Sequence, residues 1–131
     1  MVPEVIVRAV PHANKFKVFE GVNGIGPIPK DCDIDFLVTN ASTLPQGSTI
    51  EWMVRNEGLE AETINDLGHR AGIGVRAHET SAYNGTHYMD CVVKRYGNVL
   101  GMRRIPVKIQ GMAIASRNPG RSGSIRIPGR R

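Results

Sequence analysis

The sequence predicts an all-β protein built as a two-layer antiparallel sandwich, and three observations support this. Several short segments alternate apolar and polar residues with the period of two that is typical of half-buried strands. Glycine, proline and asparagine residues separate these segments and predict turns. Finally, Cys32, Trp52 and Cys91 fall on the apolar phase of three different predicted strands. This order of residues favours an immunoglobulin-like sandwich, in which a tryptophan packs against two core positions on facing sheets.

Four strands are predicted in the first half of the chain. The opening strand is "EVIVRAV", and "KFKVFEG" is a possible second one. The segment "CDIDFLV" alternates strictly and places Asp33 and Asp35 opposite an apolar face. The segment "STIEWMVRN" repeats the pattern, with Ile50, Trp52 and Val54 on one face.

The second half contains two further strands. In "THYMDCVVKR" one phase is formed by His87, Met89, Cys91 and Val93, and "NVLGMRRIPVKIQ" follows it. Gly97-Asn98 between them predicts a hairpin turn, and Gly101 and Pro106 predict a bulge or an edge position. The segment "EGLEAETINDLGHRAG" predicts at most one or two helical turns, or a loop.

Length and composition predict one globular domain. The chain has 131 residues, of which 40% are hydrophobic, and it contains no run of the roughly 18 apolar residues that a membrane span requires. Its start, "MVPEVIVRAV", places Pro3, Glu4 and Arg8 where a signal peptide would carry a basic cluster followed by an apolar stretch. We therefore expect a cytoplasmic protein that does not contact membrane, in which Cys32 and Cys91 are buried thiols and not a disulfide.

The net charge of +5 is concentrated at the end of the chain. Five arginines and no acidic residue follow Gly111, and removing these five from the 17 basic residues leaves 12, equal to the 12 acidic residues. We expect a folded domain at 1–111 and a flexible tail rich in Arg, Gly and Pro at 112–131. Because the folded part is electrically neutral, nucleic-acid binding is expected only through the tail.

Three segments together resemble a known family. They are "IEWMVRNEGLEA", "HRAG" and "HETSAYNGTHYMDC", and their order and spacing are similar to the adenylyl/guanylyl cyclase and SMODS C-terminal sensor domain. The resemblance covers about residues 30–110, and Ala71 after Arg70 and one additional residue between Glu79 and Tyr83 depart from the family pattern. The matching positions are Trp52, Asn56, Gly58, Glu60, Ala61, Arg70, Glu79, Thr80, Tyr83, Gly85, His87 and Cys91.

The resemblance implies a sensor in bacterial antiviral signalling that binds a nucleotide or a cyclic oligonucleotide without making it. It also implies a partner, a nucleotidyltransferase or an effector protein, to which the sensor relays occupancy. Since the chain has no nucleotidyltransferase domain, we expect a detached sensor or part of a larger polypeptide. One alternative is a module for protein interaction or oligomerisation, which includes a homo-oligomer of this chain. The other is weak nucleic-acid binding through the arginine tail.

The candidate ligand-binding residues lie in a predicted loop at 56–76 and at the start of the strand that follows. Guanidinium groups match phosphate oxygens, so Arg70 and Arg76 are the expected phosphate contacts. Two roles stay open for Tyr83. Its ring stacks on a base of the ligand, or its hydroxyl stabilises the corner before the strand by a hydrogen bond to backbone. The full candidate set is Asn56, His69, Arg70, Arg76, Glu79, Tyr83 and His87.

Two alternatives stay open within this set. His87 is either a hydrogen-bonded core residue or a ligand contact, because it shares the inward phase of its strand with apolar residues. Glu79 is an expected partner of His87 or of Arg70. His78 would supply a further donor beside His69, unless all of these are solvated loop residues.

No motif in the sequence predicts catalysis, a cofactor or a metal site. His69, His78 and His87 are nine positions apart, which matches no compact pair of metal ligands. The glycines of "GVNGIGPIP" do not predict a phosphate-binding loop, because Pro27 and Pro29 remove the backbone donors that such a loop needs. We therefore expect a binding module and not an enzyme.

Overall fold

The computed structural model describes residues 2–111, so the predicted tail at 112–131 lies outside the described residues. The strands are β1 (Val5–Pro11), β2 (Phe19–Val22), β3 (Ile25–Ile28), β4 (Cys32–Val38), β5 (Thr49–Arg55), β6 (Gly68–Ile73), β7 (Arg76–Thr80), β8 (Gly85–Arg95) and β9 (Asn98–Ile109). A 3₁₀ turn covers Ala41–Thr43 and one α-helix, α1, covers Leu59–Thr63. The described helices lack the length and the apolar character that a bilayer-spanning helix requires.

These strands form two sheets, which confirms the predicted all-β class. The first sheet has the order β2-β1-β4-β7 and is antiparallel throughout. The second sheet has the order β3-β9-β8-β5-β6. Its pairs are antiparallel except β3 with β9, which is parallel and differs from the wholly antiparallel arrangement that we expected.

The core lies between the two sheets, as the alternation predicted. Cys32, Trp52 and Cys91 are 0%, 1% and 0% exposed, and the Trp52 ring packs against Phe36 with 6.0 Å between ring centroids. Both cysteines are free thiols, in agreement with the expectation. Because burial disfavours the charged thiolate, the pKa of Cys32 is raised and that of Cys91 rises to about 12.

The hairpin between β8 and β9 turns one residue earlier than predicted. Tyr96 and Gly97 occupy its tip with φ values of 51° and 80°, whereas Asn98 already pairs with Arg95. Positive φ at both central residues matches the right-handed twist of the flanking strands, and Gly97 adopts it without steric cost. The predicted bulge is present, since the register of this hairpin shifts next to Gly101.

Three strands do not follow from the apolar pattern. They are β3, β6 and β7; β6 lies in the loop that was expected at 56–76, and β7 begins at the last residue of that loop. β6 is an edge strand of the second sheet and pairs with β5, and β7 is an edge strand of the first sheet and pairs with β4. Within the segment that allowed helical turns or a loop, only the five residues of α1 are helical.

Candidate functional site

A pocket of about 280 Å³ opens between the two sheets, where the edge strands β6 and β7 face each other. We call its buried apolar residues the floor: Ile34, Phe36, Val54, Met89, Val107 and Ile109. We call six of its half-buried or exposed polar residues the rim: Asn56, Asp66, His69, His78, Glu79 and Tyr83. The pocket therefore combines an apolar interior with polar groups at its opening.

One pair of rim side chains joins the two sheets across the opening. His69 of β6 places Nε2 3.1 Å from each carboxylate oxygen of Glu79 on β7. The two side chains are 46% and 23% exposed, so water reaches the pair. The expectation that Glu79 pairs with His87 or Arg70 is wrong, because His69 is the side chain that projects toward β7.

A second rim contact connects Tyr83 to the turn that follows α1. The Tyr83 hydroxyl donates to Asp66 Oδ2 at 2.7 Å, and the neighbouring Asp66 carboxylate raises the pKa of Tyr83. Asn56 Nδ2 donates to the backbone oxygen of Asp66 at 3.0 Å and so holds the same turn from the other side. The predicted hydrogen bond from the Tyr83 hydroxyl to backbone is therefore wrong, since the hydroxyl binds a carboxylate.

His87 forms part of the pocket wall and is 5% exposed. The backbone N–H of Glu57 donates to its Nδ1 at 3.0 Å, and its Nε2 donates to the backbone oxygen of Tyr83 at 2.7 Å. An acceptor at Nδ1 and a donor at Nε2 define the neutral imidazole with its proton on Nε2. His87 is thus a hydrogen-bonded core residue that fixes the backbone on which Tyr83 is carried.

His78 lies on the rim beside a cluster of carboxylates on the outer face of the first sheet. Its Nδ1 is 2.9 Å from Asp35 and its Nε2 is 3.4 Å from Asp33. The hydrogen bond with Asp35 is the main reason that the pKa of His78 is raised. Asp33 also contacts His12 at 2.8 Å, and this hydrogen bond lowers the pKa of Asp33.

The two arginines expected to contact phosphate do not line this pocket. His69 pairs with Val54 and faces the interior, so the next residue, Arg70, pairs with Met53 and faces outward. Arg70 instead lines a separate depression on the outer face of the second sheet, together with Glu51 and Lys94. Arg76 is exposed and precedes the buried Ala77, so it also points away from the interior. The prediction that all seven candidate residues form one cluster is therefore wrong for the two arginines.

Asp66 is a rim residue that the sequence did not reveal. Its partners Asn56 and Tyr83 lie 10 and 17 positions away, so no local spacing connects them. The dipeptide Asn65-Asp66 signals only a turn, which forms with φ of 59° at Asn65. Among the described residues, no group of three or more His, Cys, Asp or Glu side chains is arranged to hold a metal ion.

One protein family matches nearly all of the described residues. The model of the adenylyl/guanylyl and SMODS C-terminal sensor domain matches residues 4–110. The match spans every strand from β1 to β9 and therefore both walls of the pocket. The chain belongs to this family. Its role is accordingly that of a sensor domain, the type of domain that the family description names.

A curated relative is the cyclic GMP-AMP synthase of Escherichia albertii. It is 29% identical to this chain over 85 residues, which cover 63% of the chain and 19% of the relative. The chain therefore spans about a fifth of the length of that enzyme. No solved structure matches the chain.

Proposed function

We propose that this sensor domain binds a nucleotide-like ligand in the pocket between its sheets and relays occupancy to a partner, without catalysing a reaction. The observation that carries the proposal is the convergence of five predicted residues on one cavity: Asn56, His69, Glu79, Tyr83 and His87. One residue directly follows β5, three lie on β6, β7 and β8, and one lies in the segment before β8, so they meet only in the folded chain.

The chemistry of the pocket supports binding of a small organic molecule. Ligand sites are commonly concave and mostly apolar, with a few polar groups that fix the orientation of the ligand. Here the floor supplies aliphatic side chains and the ring of Phe36, and the rim supplies hydrogen-bonding groups. The ring of Tyr83 offers a surface on which a base can stack.

The segment that carries part of the rim also supports a relay. Asp66 and His69 lie within six residues of the end of α1. The stretch from α1 to His69 exposes Leu59, Ile64 and Leu67 by 79%, 59% and 52%. A ligand that binds Asp66 or His69 changes how firmly the stretch is held to the sandwich. The exposed apolar side chains are suited to contact another protein, and the relative that synthesises cyclic GMP-AMP makes a nucleotidyltransferase-type enzyme the proposed partner.

Titration calorimetry and thermal unfolding with a panel of mono-, di- and cyclic nucleotides test the binding step. A ligand present at 100 times its dissociation constant is expected to stabilise the native state by about 2.7 kcal/mol. The variant Ala82→Trp places a large ring at the pocket opening and is expected to abolish the binding heat. Its matched control is Ala13→Trp, which enlarges an exposed alanine in the turn after β1 and leaves the pocket unchanged. Folded protein that gives no heat and no stabilisation with any member of the panel contradicts the proposal.

The same exposed apolar residues favour a second candidate, a domain that docks to its partner without any ligand. Replacing Leu59 and Leu67 by serine separates the two functions, because both side chains are exposed and neither lines the pocket. The proposed relay requires that this variant still binds ligand but no longer binds the partner. Partner binding that is equal with and without ligand favours docking alone.

A further inference from the structure

The charges around the pocket narrow the class of ligand that can enter it. Its rim carries two carboxylates, Asp66 and Glu79, and no lysine or arginine from the described part of the chain lines the cavity. A phosphate group inside would lie beside like charges, and the lining histidines His69 and His78 are already engaged by the carboxylates of Glu79 and Asp35. The interior is therefore unsuited to the anionic end of a nucleotide.

The hydrogen-bonding capacity of the rim points to a ligand that donates. Asp66 accepts one hydrogen bond from Tyr83 at Oδ2 and a longer one from Asn56 at Oδ1. Both oxygens of Glu79 lie near the same nitrogen of His69. Each carboxylate oxygen has two lone pairs, so acceptor capacity remains on both side chains. The amino groups of adenine, cytosine and guanine are donors that match such acceptors, whereas uracil and thymine present a carbonyl oxygen at the corresponding position.

The size of the pocket sets a further limit. At about 280 Å³ it lies just below the range of roughly 300–1,000 Å³ that is typical of sites for complete drug-sized ligands. This space suits one base, with or without its sugar, and excludes a whole cyclic oligonucleotide. The apolar floor, which includes the ring of Phe36, is suited to contact the face of a planar ring.

We infer that the pocket takes an amino-bearing nucleobase of the ligand, with the phosphates held outside the opening. This inference rests on the proposed function and specifies which part of the ligand the site recognises. Asp66 and Glu79 accept hydrogen bonds from the base, Tyr83 borders its ring, and the apolar floor contacts its face.

Calorimetry with matched ligands tests the inference on the full chain. The probes are cytidine, uridine, cytidine monophosphate and inorganic phosphate, together with the purine pair adenosine and adenosine monophosphate. We expect an amino-bearing nucleoside and its monophosphate to bind with dissociation constants within about threefold of each other. Cytidine is expected to bind at least about tenfold more tightly than uridine if the pyrimidine is the ligand, because uridine leaves a carboxylate without its donor. Affinity is expected to change little between about 50 and 200 mM salt, in contrast to sites that bind phosphate.

Two variants locate the contact. Asp66→Asn keeps the shape of the side chain and removes its charge, and it is expected to reduce nucleoside binding by about tenfold. Arg70→Ala changes the neighbouring outer face and is expected to leave nucleoside binding unchanged, because Arg70 lines a different depression. Thermal unfolding of each variant establishes that it is folded.

The outcomes distinguish failure of the inference from failure of the proposed function. A monophosphate that binds more than about tenfold more tightly than its nucleoside, or inorganic phosphate that competes with it, overturns the inference while the proposed function stands. Loss of binding in Arg70→Ala overturns it in the same way. Absence of binding for every nucleoside and nucleotide overturns the inference together with the proposed function.

Discussion

The space between the two sheets has a closed middle and an open end, although β4, β5 and β8 contribute residues to both. In the middle, Trp52 and Cys91 are paired neighbours on β5 and β8 and are almost completely buried. At the open end the walls are the short edge strands β6 and β7, whose facing residues are His69 and Glu79. Phe36 is the boundary, since it packs on Trp52 and also lines the pocket. The difference shows that large apolar side chains from both sheets close the interior, and that polar edge residues leave it accessible.

The largest expected effect is the removal of the ring that fills the middle. Trp52→Ala is expected to reduce the free energy of unfolding by about 3–5 kcal/mol, because it leaves a cavity that the sheets cannot fill. It also removes the 2.7 Å hydrogen bond from Trp52 Nε1 to the Gly74 oxygen. Urea unfolding measures the loss, and Phe16→Ala, at a ring that is 90% exposed, is the matched control with an expected change below about 0.5 kcal/mol.

His87→Ala tests how much the residue between the closed middle and the open end contributes to stability. The change breaks two half-buried hydrogen bonds and leaves the Glu57 N–H and the Tyr83 carbonyl without their partner, and each such group costs about 1–3 kcal/mol where water does not replace the ring. We expect a loss of about 2 kcal/mol or more in the free energy of unfolding. His69→Ala is the comparison at the open end, where the exposed pair contributes about 1 kcal/mol or less. Equal losses in the two variants would show that the open end is as firmly packed as the middle.

Tyr83→Phe removes only the hydroxyl at the pocket opening. The expected loss of stability is about 1 kcal/mol or less, because Asp66 regains contact with water when the hydrogen bond is lost. In the unmodified protein, absorbance at alkaline pH is expected to include a late tyrosine transition, above the ordinary tyrosine pKa, since the pKa of Tyr83 is raised. That late transition should disappear in the variant, and its persistence would assign it to another tyrosine.

The smallest expected effect is the pH dependence of the rim at His78. Because its pKa in the folded protein is raised, protonated His78 stabilises the fold fully below its unfolded pKa of about 6.5, and this contribution is lost as the pH rises through the folded pKa. The partners that face it are Asp35 and Asp33, and Asp33 also contacts His12. The side chain is 57% exposed, so solvent limits the gain to below about 1 kcal/mol.

Urea unfolding at about pH 5.5 and about pH 8.5 measures this contribution. Compared with His78→Gln, the unmodified protein is expected to be more stable at the lower pH and equal at the higher pH. The variant keeps a polar side chain at the rim and removes the charge. A constant difference between the two proteins at both values contradicts the ionic origin of the effect.

Sequence patterns predicted the strands that bury a full face and missed β3, β6 and β7, which do not. β4 and β5 alternate clearly because each pairs on both sides and contributes to the core with every second residue. In contrast, β6 has the sequence "GHRAGI" and no buried residue, and β7 buries only Ala77. An edge strand pairs on one side only, so backbone hydrogen bonds form it with little apolar signal.

The candidate site was predictable to the same extent as these strands. Residues that end or begin a recognised strand, such as Asn56 and His87, do line the pocket. The assignment of Arg70 failed because a loop gives no side-chain direction, whereas in β6 alternation separates it from His69. Asp66 could not be predicted, because its role depends on where the turn after α1 is placed in three dimensions.

The long β8–β9 hairpin has a consequence for the order in which the molecule is assembled. It provides the middle strands of the second sheet, so β3 and β5 acquire their central neighbours only when residues 85–109 have been synthesised. Three strands of the first sheet, β1, β2 and β4, are available to pair much earlier. During synthesis on the ribosome, the first sheet therefore exposes its apolar face until translation of the domain is nearly complete. Chaperone binding at this stage would protect that face from aggregation.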